Sequence, residues 1–443
     1  MKSNLRKSDS IRSIFFLIIA MAIAVFFSIQ IPAYNSGNTT TIDAELPSID
    51  IFLNGTTIDE IKNGDKATKY QNNILKIIDT RDTSYINNTE IKLRGNLTFF
   101  FDKKPYQINF SESTPLLNLN SAKNWVLLAN YLDDTYIRND LAFYIEKLLN
   151  INYAPSGRFV NLNIDNEYQG LYYLTHKIKI SDHSIKLVNP QGIVVEYDSV
   201  HQSNTDGNCY HSATSSCFVI KDVKNDDYRT SAMQDFLTDI NRLEIAIQNN
   251  DYNAIQSLID VEDFAKYFLL SEITSNPDSY AASVYLYKDG PDDLIHIGPG
   301  WDFDLAFGNQ NWSWASFTEF YDPSTPIPQI TNLVGKDKTR HQTSNALLIN
   351  CYISLLDNQK FKSIISQIYL AYITPQKEHI LSYAKSQLNY IQDSAAADSA
   401  HWNKNFQSDS LQLLEWLSKR LDFMQYKYTH NDKPNMAYSS NLY

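Results

Sequence analysis

The longest unbroken apolar stretch lies near the start of the chain. Ser13-Ile14-Phe15-Phe16-Leu17-Ile18-Ile19-Ala20-Met21-Ala22-Ile23-Ala24-Val25-Phe26-Phe27 continues to about Ile31 and has no polar face. Before it stand Lys2, Arg6, Lys7 and Arg12 against one acid, Asp9. A basic segment followed by such a run is a translocation signal. Positive charge stays inside, so the chain beyond the run is expected outside the cytoplasm, secreted or membrane-anchored. Pro32-Ala33 makes a poor small-residue cleavage site, so residues 1–33 are read as a signal peptide or a single-pass membrane anchor. No Cys follows the run, which excludes a lipoprotein anchor. Residues 34–48 are polar and Thr/Asn-rich, a linker.

Beyond the linker the period of the pattern changes. From about Ile49 to Phe110, short β-like runs alternate with turn signals at Asn54-Gly55 and Asn63-Gly64; Glu90–Arg94 and Tyr106–Phe110 are two of the runs. Leu116–Ala129 is apolar around Trp125. Ile137, Leu141, Tyr144, Ile145 and Leu148 recur at helical spacing behind the capping residues Asp133, Asp134 and Thr135. Phe159–Ile164 and Leu171–Ile178 alternate like strands around Asp165-Asn166-Glu167, and Glu196 and Asp198 end a further strand. Helices are expected at Ser231–Asn249 and Val261–Thr274, then a hairpin of Val284–Lys288 and Leu294–Gly298 around Asp289-Gly290-Pro291. After residue 340 the pattern is helical almost to the end, closing with Leu411–Tyr426. The expected class is α+β: β-rich over 49–225, mainly helical over 226–428, with a tail at 429–443.

Composition narrows the function. The chain has 443 residues, 43% hydrophobic and 13% aromatic, which excludes disorder. Its net charge of −12 disfavours nucleic-acid binding. Residues 1–13 carry +3, so the remainder carries −12 − (+3) = −15. Cys209 and Cys217 flank a short polar loop and could close a disulfide in an oxidising compartment. Cys351 sits in an apolar helix and reads as core. No CxxC or HxxxH spacing suggests zinc. Asn38, Asn54, Asn87, Asn96, Asn109 and Asn311 fit the glycosylation pattern, which matters only in a eukaryotic host.

Chemistry concentrates in Ser275-Asn276-Pro277-Asp278 through Trp301-Asp302-Phe303-Asp304. A helix end, an Asp loop, a hairpin and a second acidic turn would bring two carboxylates to one cleft. Phosphoryl transfer needs that pair: one accepts the proton of the attacking hydroxyl, the other holds Mg²⁺ against the phosphates. Taken singly, each is an ordinary solvated turn. A second segment, Ile91-Lys92-Leu93-Arg94-Gly95-Asn96 and Lys103-Lys104-Pro105-Tyr106, reads as a hairpin that could lay backbone N–H groups and a lysine over phosphates, or as a plain surface hairpin. Lys177 and Lys179, after Tyr173-Leu174-Thr175-His176, could meet a nucleotide or water.

In order along the chain, Arg94-Gly95-Asn96 with Lys103-Lys104-Pro105-Tyr106, Asn124-Trp125-Val126-Leu127-Leu128-Ala129-Asn130, Arg138-Asn139-Asp140-Leu141-Ala142, Tyr168-Gln169-Gly170-Leu171-Tyr172, Gly300-Trp301-Asp302-Phe303-Asp304-Leu305-Ala306-Phe307-Gly308-Asn309 and Leu414-Glu415-Trp416-Leu417-Ser418-Lys419-Arg420 resemble the spore-coat CotH kinase family. The likeness runs from about Ile49 to Tyr428. It implies a strongly diverged protein-kinase-like fold that binds ATP with Mg²⁺ or Mn²⁺ and phosphorylates secreted or surface proteins. By position, Asp278 would be the catalytic-loop Asp and Asp302 the metal-binding Asp, with Asp304 and Asn309 beside it. Lys104, or else Lys103, would contact phosphate, with Arg94, Gly95, Asn96 and Lys177 around the nucleotide. Two departures stand out. His176 replaces a Glu found in many relatives, and Ser283 stands where kinases place a second metal-binding Asn.

Two other functions fit some of these residues. His176, Ser283 and the scarcity of ATP outside the cytoplasm suit a non-catalytic pseudokinase serving as a surface or adhesion module. Trp301, Trp312 and Trp314 near Asp302 and Asp304 suit a carbohydrate-active protein, if the two carboxyls point the same way on a strand.

Overall fold

Alternating apolar residues build the first sheet because successive strand side chains face opposite ways. The computed structural model describes residues 46–79, 82–198, 209–309, 322–324 and 347–430. The leader at 1–33, the linker up to Glu45, the tail from Asn431, and Asn38, Asn311, Trp312 and Trp314 lie outside the described residues. Seven strands close a barrel: β1 (Ser48–Phe52), β2 (Tyr70–Asp79), β3 (Asp82–Leu93), β4 (Tyr106–Thr114), β5 (Ala122–Leu128), β6 (Gly157–Ile164) and β7 (Glu167–His176), in the order β1-β2-β3-β4-β5-β7-β6. β6 closes it by running parallel to β1, from Ser48↔Asn161 to Ile51↔Ile164. Ile49, Ile51, Leu75, Ile91, Leu93, Ile108, Trp125, Leu127, Leu162, Tyr172 and Leu174 are buried in one cluster. The apolar Leu116–Ala129 stretch thus supplies β5.

Two helices interrupt the barrel strands, α1 (Ile58–Lys62) and α2 (Arg138–Leu148). α1 begins at a capping box, in which the Thr57 side chain and Glu60 satisfy each other's backbone N–H groups.

The second sheet has the order β12-β11-β8-β10-β9, from β8 (Ile193–Tyr197), β9 (Cys209–His211), β10 (Cys217–Val223), β11 (Val284–Lys288) and β12 (His296–Ile297). The β11–β12 hairpin from the second half of the chain therefore completes a sheet begun in the first, with β11 antiparallel to β8. The remaining helices are α3 (Arg229–Gln248), α4 (Tyr252–Gln256), α5 (Val261–Thr274), α6 (Leu347–Asp357), α7 (Gln359–Ile368), α8 (Lys377–Trp402) and α9 (Phe406–Thr429). The class is α+β, β-rich first and helical later. Every residue of α5 from Asp263 to Thr274 is buried, as expected of a helix at the centre of a larger core. Cys209 and Cys217 form a disulfide between β9 and β10, and Cys351 is buried. Among the described residues no helix is long and apolar enough to cross a membrane.

Candidate active site

The predicted acidic residues are brought together where α5 and the β11–β12 hairpin end. Ser275 leaves α5 in the left-handed conformation, at φ 47°. Asn276 then ties the two loops: its Oδ1 accepts from the Asp278 N–H at 3.2 Å, and its Nδ2 donates to the Asp302 carbonyl at 3.2 Å. Ser283 donates its hydroxyl to Asp302 Oδ2 at 3.2 Å. Ser283 and Asp302 also have positive φ, 54° and 67°. A β-carbon in this region costs about 1–2 kcal/mol, and such residues persist only where their surroundings over-determine them. Asp304 is buried. Burial pushes its carboxyl well above the ordinary range, and the charges of Asp302, Asp278 and Asp133 push the same way.

The motif at the start of α2 fixes the acidic turn. Asn139 Oδ1 accepts from the Phe303 N–H at 2.9 Å, Glu146 Oε2 accepts from the Gly300 N–H at 3.2 Å, and Arg138 Nε donates to the Ala306 carbonyl at 2.9 Å. Arg138 is itself paired with Asp133. Gly300 is required by closeness: an added β-carbon would lie 2.7 Å from Glu146 Oε1. Asn309, expected at the metal, donates its amide to the carbonyls of Leu132 at 2.8 Å and Asp304 at 2.6 Å. Its amide nitrogen holds the turn.

Arg94 acts on Asp302 from the end of the barrel strand β3, and further cations gather around Arg94. Arg94 follows β3, its guanidinium 5.9 Å from the Trp301 ring centroid. Burial lowers its affinity for the proton, while Tyr285, Asp302 and Glu196 act in the opposite sense. Gly95 (φ 92°) and Asn96 make the turn that follows. Lys177, just past β7, is pushed down to about 8, first by burial and then by repulsion from Arg94, Lys92, Lys221 and Lys179. Sequence reasoning singled out Arg94 and Lys177. It missed Lys221, Tyr285 and the part Glu196 plays, and the one available signal was a lysine ending the apolar strand Cys217–Lys221.

Lys103 and Lys104 are placed elsewhere, a correction to the hairpin expectation. The Lys103 ammonium is buried, 2.8 Å from Asp398 Oδ1 and 2.7 Å from the Leu171 carbonyl. Asp398 also accepts from the Leu171 N–H at 2.6 Å. Gly170, at φ 124°, leaves room for this carboxylate, since a β-carbon there would sit 2.1 Å from its Oδ1. Lys104 donates to the Phe99 carbonyl at 2.7 Å, and the charges acting on it are Asp102 and Lys62. His176 meets the Asn120 carbonyl at 2.7 Å and packs edge-on to Trp125. The carbohydrate geometry also fails, because Asp302 and Asp304 lie in an irregular turn rather than on a strand.

The acids suit a divalent cation by their chemistry, because a cation would relieve the crowding felt at Asp304. Mg²⁺ is commonly held by one or two carboxylates plus phosphate oxygens, so a fully formed protein cage is not required. Among the described residues, the group whose ligand atoms all lie within 4.8 Å is a different one, Asp260, Asp263 and His296. There the imidazole Nδ1 is 2.7 Å from Asp263 Oδ2 and Nε2 is 3.5 Å from Asp293 Oδ1. A proton on His296 satisfies these carboxylates without a metal.

Residues 91–424 match the family model described as CotH kinase protein. Among curated proteins none matches the chain.

Proposed function

The chain belongs to the CotH kinase family, and we propose that it is an exported atypical protein kinase of diverged protein-kinase-like fold. It would transfer the γ-phosphoryl group of ATP to Ser or Thr hydroxyls of surface or secreted proteins. The observation that carries this reading is the meeting of the Asp278 and Asp302 loops, tied through Asn276, with buried Asp304 beside them and Arg94 near Asp302. In the proposed reaction the acceptor hydroxyl oxygen forms a bond to the γ-phosphorus. The bond from that phosphorus to the β–γ bridging oxygen breaks, and ADP departs with the electron pair. The hydroxyl proton passes to Asp278. Asp302 and Asp304 would hold Mg²⁺ or Mn²⁺, which when bound offsets the phosphate charge. Arg94 and Lys177 would supply the remaining positive charge. Catalysis of this kind is positioning and electrostatics rather than a covalent intermediate. Export accords with the Cys209–Cys217 disulfide.

The test is incubation with labelled ATP and Mn²⁺ or Mg²⁺, wild type beside Asp278→Ala. Label is expected on the wild type or an added acceptor and absent from the variant. Equal labelling of both would overturn the assignment. The pseudokinase reading draws on Ser283, whose hydroxyl is bonded to Asp302 where a second metal ligand would stand. Nucleotide binding without any transfer would favour it.

A further inference from the structure

The cation that the hairpin lysines fail to supply is present on the second sheet. Lys221 pairs with Glu196, and its ammonium is 6.0 Å from the Tyr285 ring centroid. The placement is built into the backbone. In the β8–β10 ladder Ile220 faces Val195 and Asp222 faces Val194, so Lys221 falls at a β-bulge, outside the pairing. Bulges re-aim side chains and recur beside active sites. On the other flank of β8, Tyr285 stands directly opposite Glu196. Glu196 and Tyr285 are buried, and both act electrostatically on Arg94, as Asp302 does. Lys221, Glu196, Tyr285, Arg94 and Asp302 thus form one connected set running from the bulge to the acidic turn.

Beside this set, the charge around Lys177 is one-sided. Lys221 has Glu196, yet Lys177 feels Arg94, Lys92, Lys221 and Lys179 as repulsion. Gathering like charges at half-buried positions costs free energy, and a chain of net charge −12 has ample acids with which to neutralise them. A polyanion drawn into the space would remove the cost.

We propose that Lys221, held by Glu196 at the β10 bulge, is the lysine that contacts the phosphate groups of the nucleotide. This rests on the kinase reading above and reassigns the role expected of Lys104 or Lys103. Lys103 is fully buried against Asp398 and Lys104 donates to the Phe99 carbonyl, whereas the Lys221 side chain stays 27% exposed beside Glu196.

The experiment is titration of the full chain with ATP in excess Mn²⁺, comparing wild type, Lys221→Met and Lys221→Arg. Each protein's melting is recorded first without nucleotide. Lys221→Met leaves buried Glu196 without its cation and is expected to melt below wild type, and the folded variant is expected to lose ATP affinity by ~10-fold or more, the worth of one charge-assisted hydrogen bond. Lys221→Arg is expected to recover part of that loss. ATP affinity in Lys221→Met within twofold of wild type overturns the proposal. If Lys221→Met does not melt cooperatively, reductive methylation of the wild type decides. Protection of Lys221 by ATP and Mn²⁺, with Lys103 unaffected, supports the contact; an unchanged rate at Lys221 overturns it. A wild type that binds no ATP defeats the kinase reading itself and this proposal with it, a result separate from a Lys221 variant that still binds.

Discussion

Asp302 combines charge with an unfavourable backbone, at φ 67°. Asn tolerates this conformation as well as Asp does, so Asp302→Asn removes the charge without breaking the turn. It also removes one of the repulsions acting on Asp304. The expected outcome is stability within about 1 kcal/mol of wild type and phosphoryl transfer reduced by ~100-fold or more, the scale seen when one electrostatic contact to a developing charge is lost. Full transfer by a folded Asp302→Asn would remove this residue from the metal site. Lys103 is expected to behave in the opposite way. Lys103→Met leaves Asp398 buried without its cation, which costs on the order of 3–5 kcal/mol, yet should leave the ATP affinity of the remaining folded protein unchanged. Urea unfolding and nucleotide titration of the same sample separate the two. The approach of Asp278, Asp302 and Asp304 to one another was legible because each falls just beyond an element whose period shows in the sequence. The fate of Lys103 was not legible, because its partner Asp398 lies on α8 and nothing near Lys103 in sequence announces it.

At the scale of elements, α2 acts as the frame of the acidic turn. Asn139 and Glu146 both accept from that turn's backbone, so the turn inherits the rigidity of a buried helix. Asn139→Ala leaves the Phe303 N–H without its acceptor, at a cost of about 1–3 kcal/mol. Because the residue touches no substrate, its expected kinetic signature is a fall in kcat larger than the change in ATP affinity; equal changes in both would count against a framing role. β12 and the start of α5 are joined by a titrating contact. Burial alone would lower the His296 imidazole, but the hydrogen bond and charge of Asp263, with Asp293 and Asp260, raise it overall. A pKa raised on folding contributes stability that is fully present below about 6.5, the unfolded value, and is lost as pH rises through the folded value. His296→Gln should therefore destabilise more at pH 5.5 than at pH 9, measured by urea unfolding, and an equal loss at both would mean that the imidazole is never charged. The strands and helices themselves were readable from their period-two and 3.6-residue patterns. Their partners were not. Alternation tells which face of β6 is buried but not that β6 closes the barrel beside β1, and a hairpin signal at Asp289-Gly290 does not say that β11 will join β8.

For the whole molecule, the decisive quantity is charge. The chain carries −12, and its candidate site opposes Asp278, Asp302, Asp304 and Glu196 to three cations, Arg94, Lys177 and Lys221. ATP approaching alone would meet Asp278, Asp302 and Asp304 as repulsion, and the cations could do little more than cancel them. A divalent ion between the carboxylates and the phosphates reverses the sign of that encounter, turning the acids from an obstacle into ligands. Nucleotide and metal should therefore bind with strong positive coupling. ATP in EDTA is expected to leave the melting temperature unchanged, whereas the same ATP with Mn²⁺ should raise it, since a ligand that binds only the native state stabilises it by mass action. The coupling should nearly vanish in Asp302→Asn, where one fewer charge repels the phosphates and one fewer ligand holds the ion. A shift of equal size with and without Mn²⁺ would mean that the cations alone suffice, and that the acids near them serve some purpose other than metal binding.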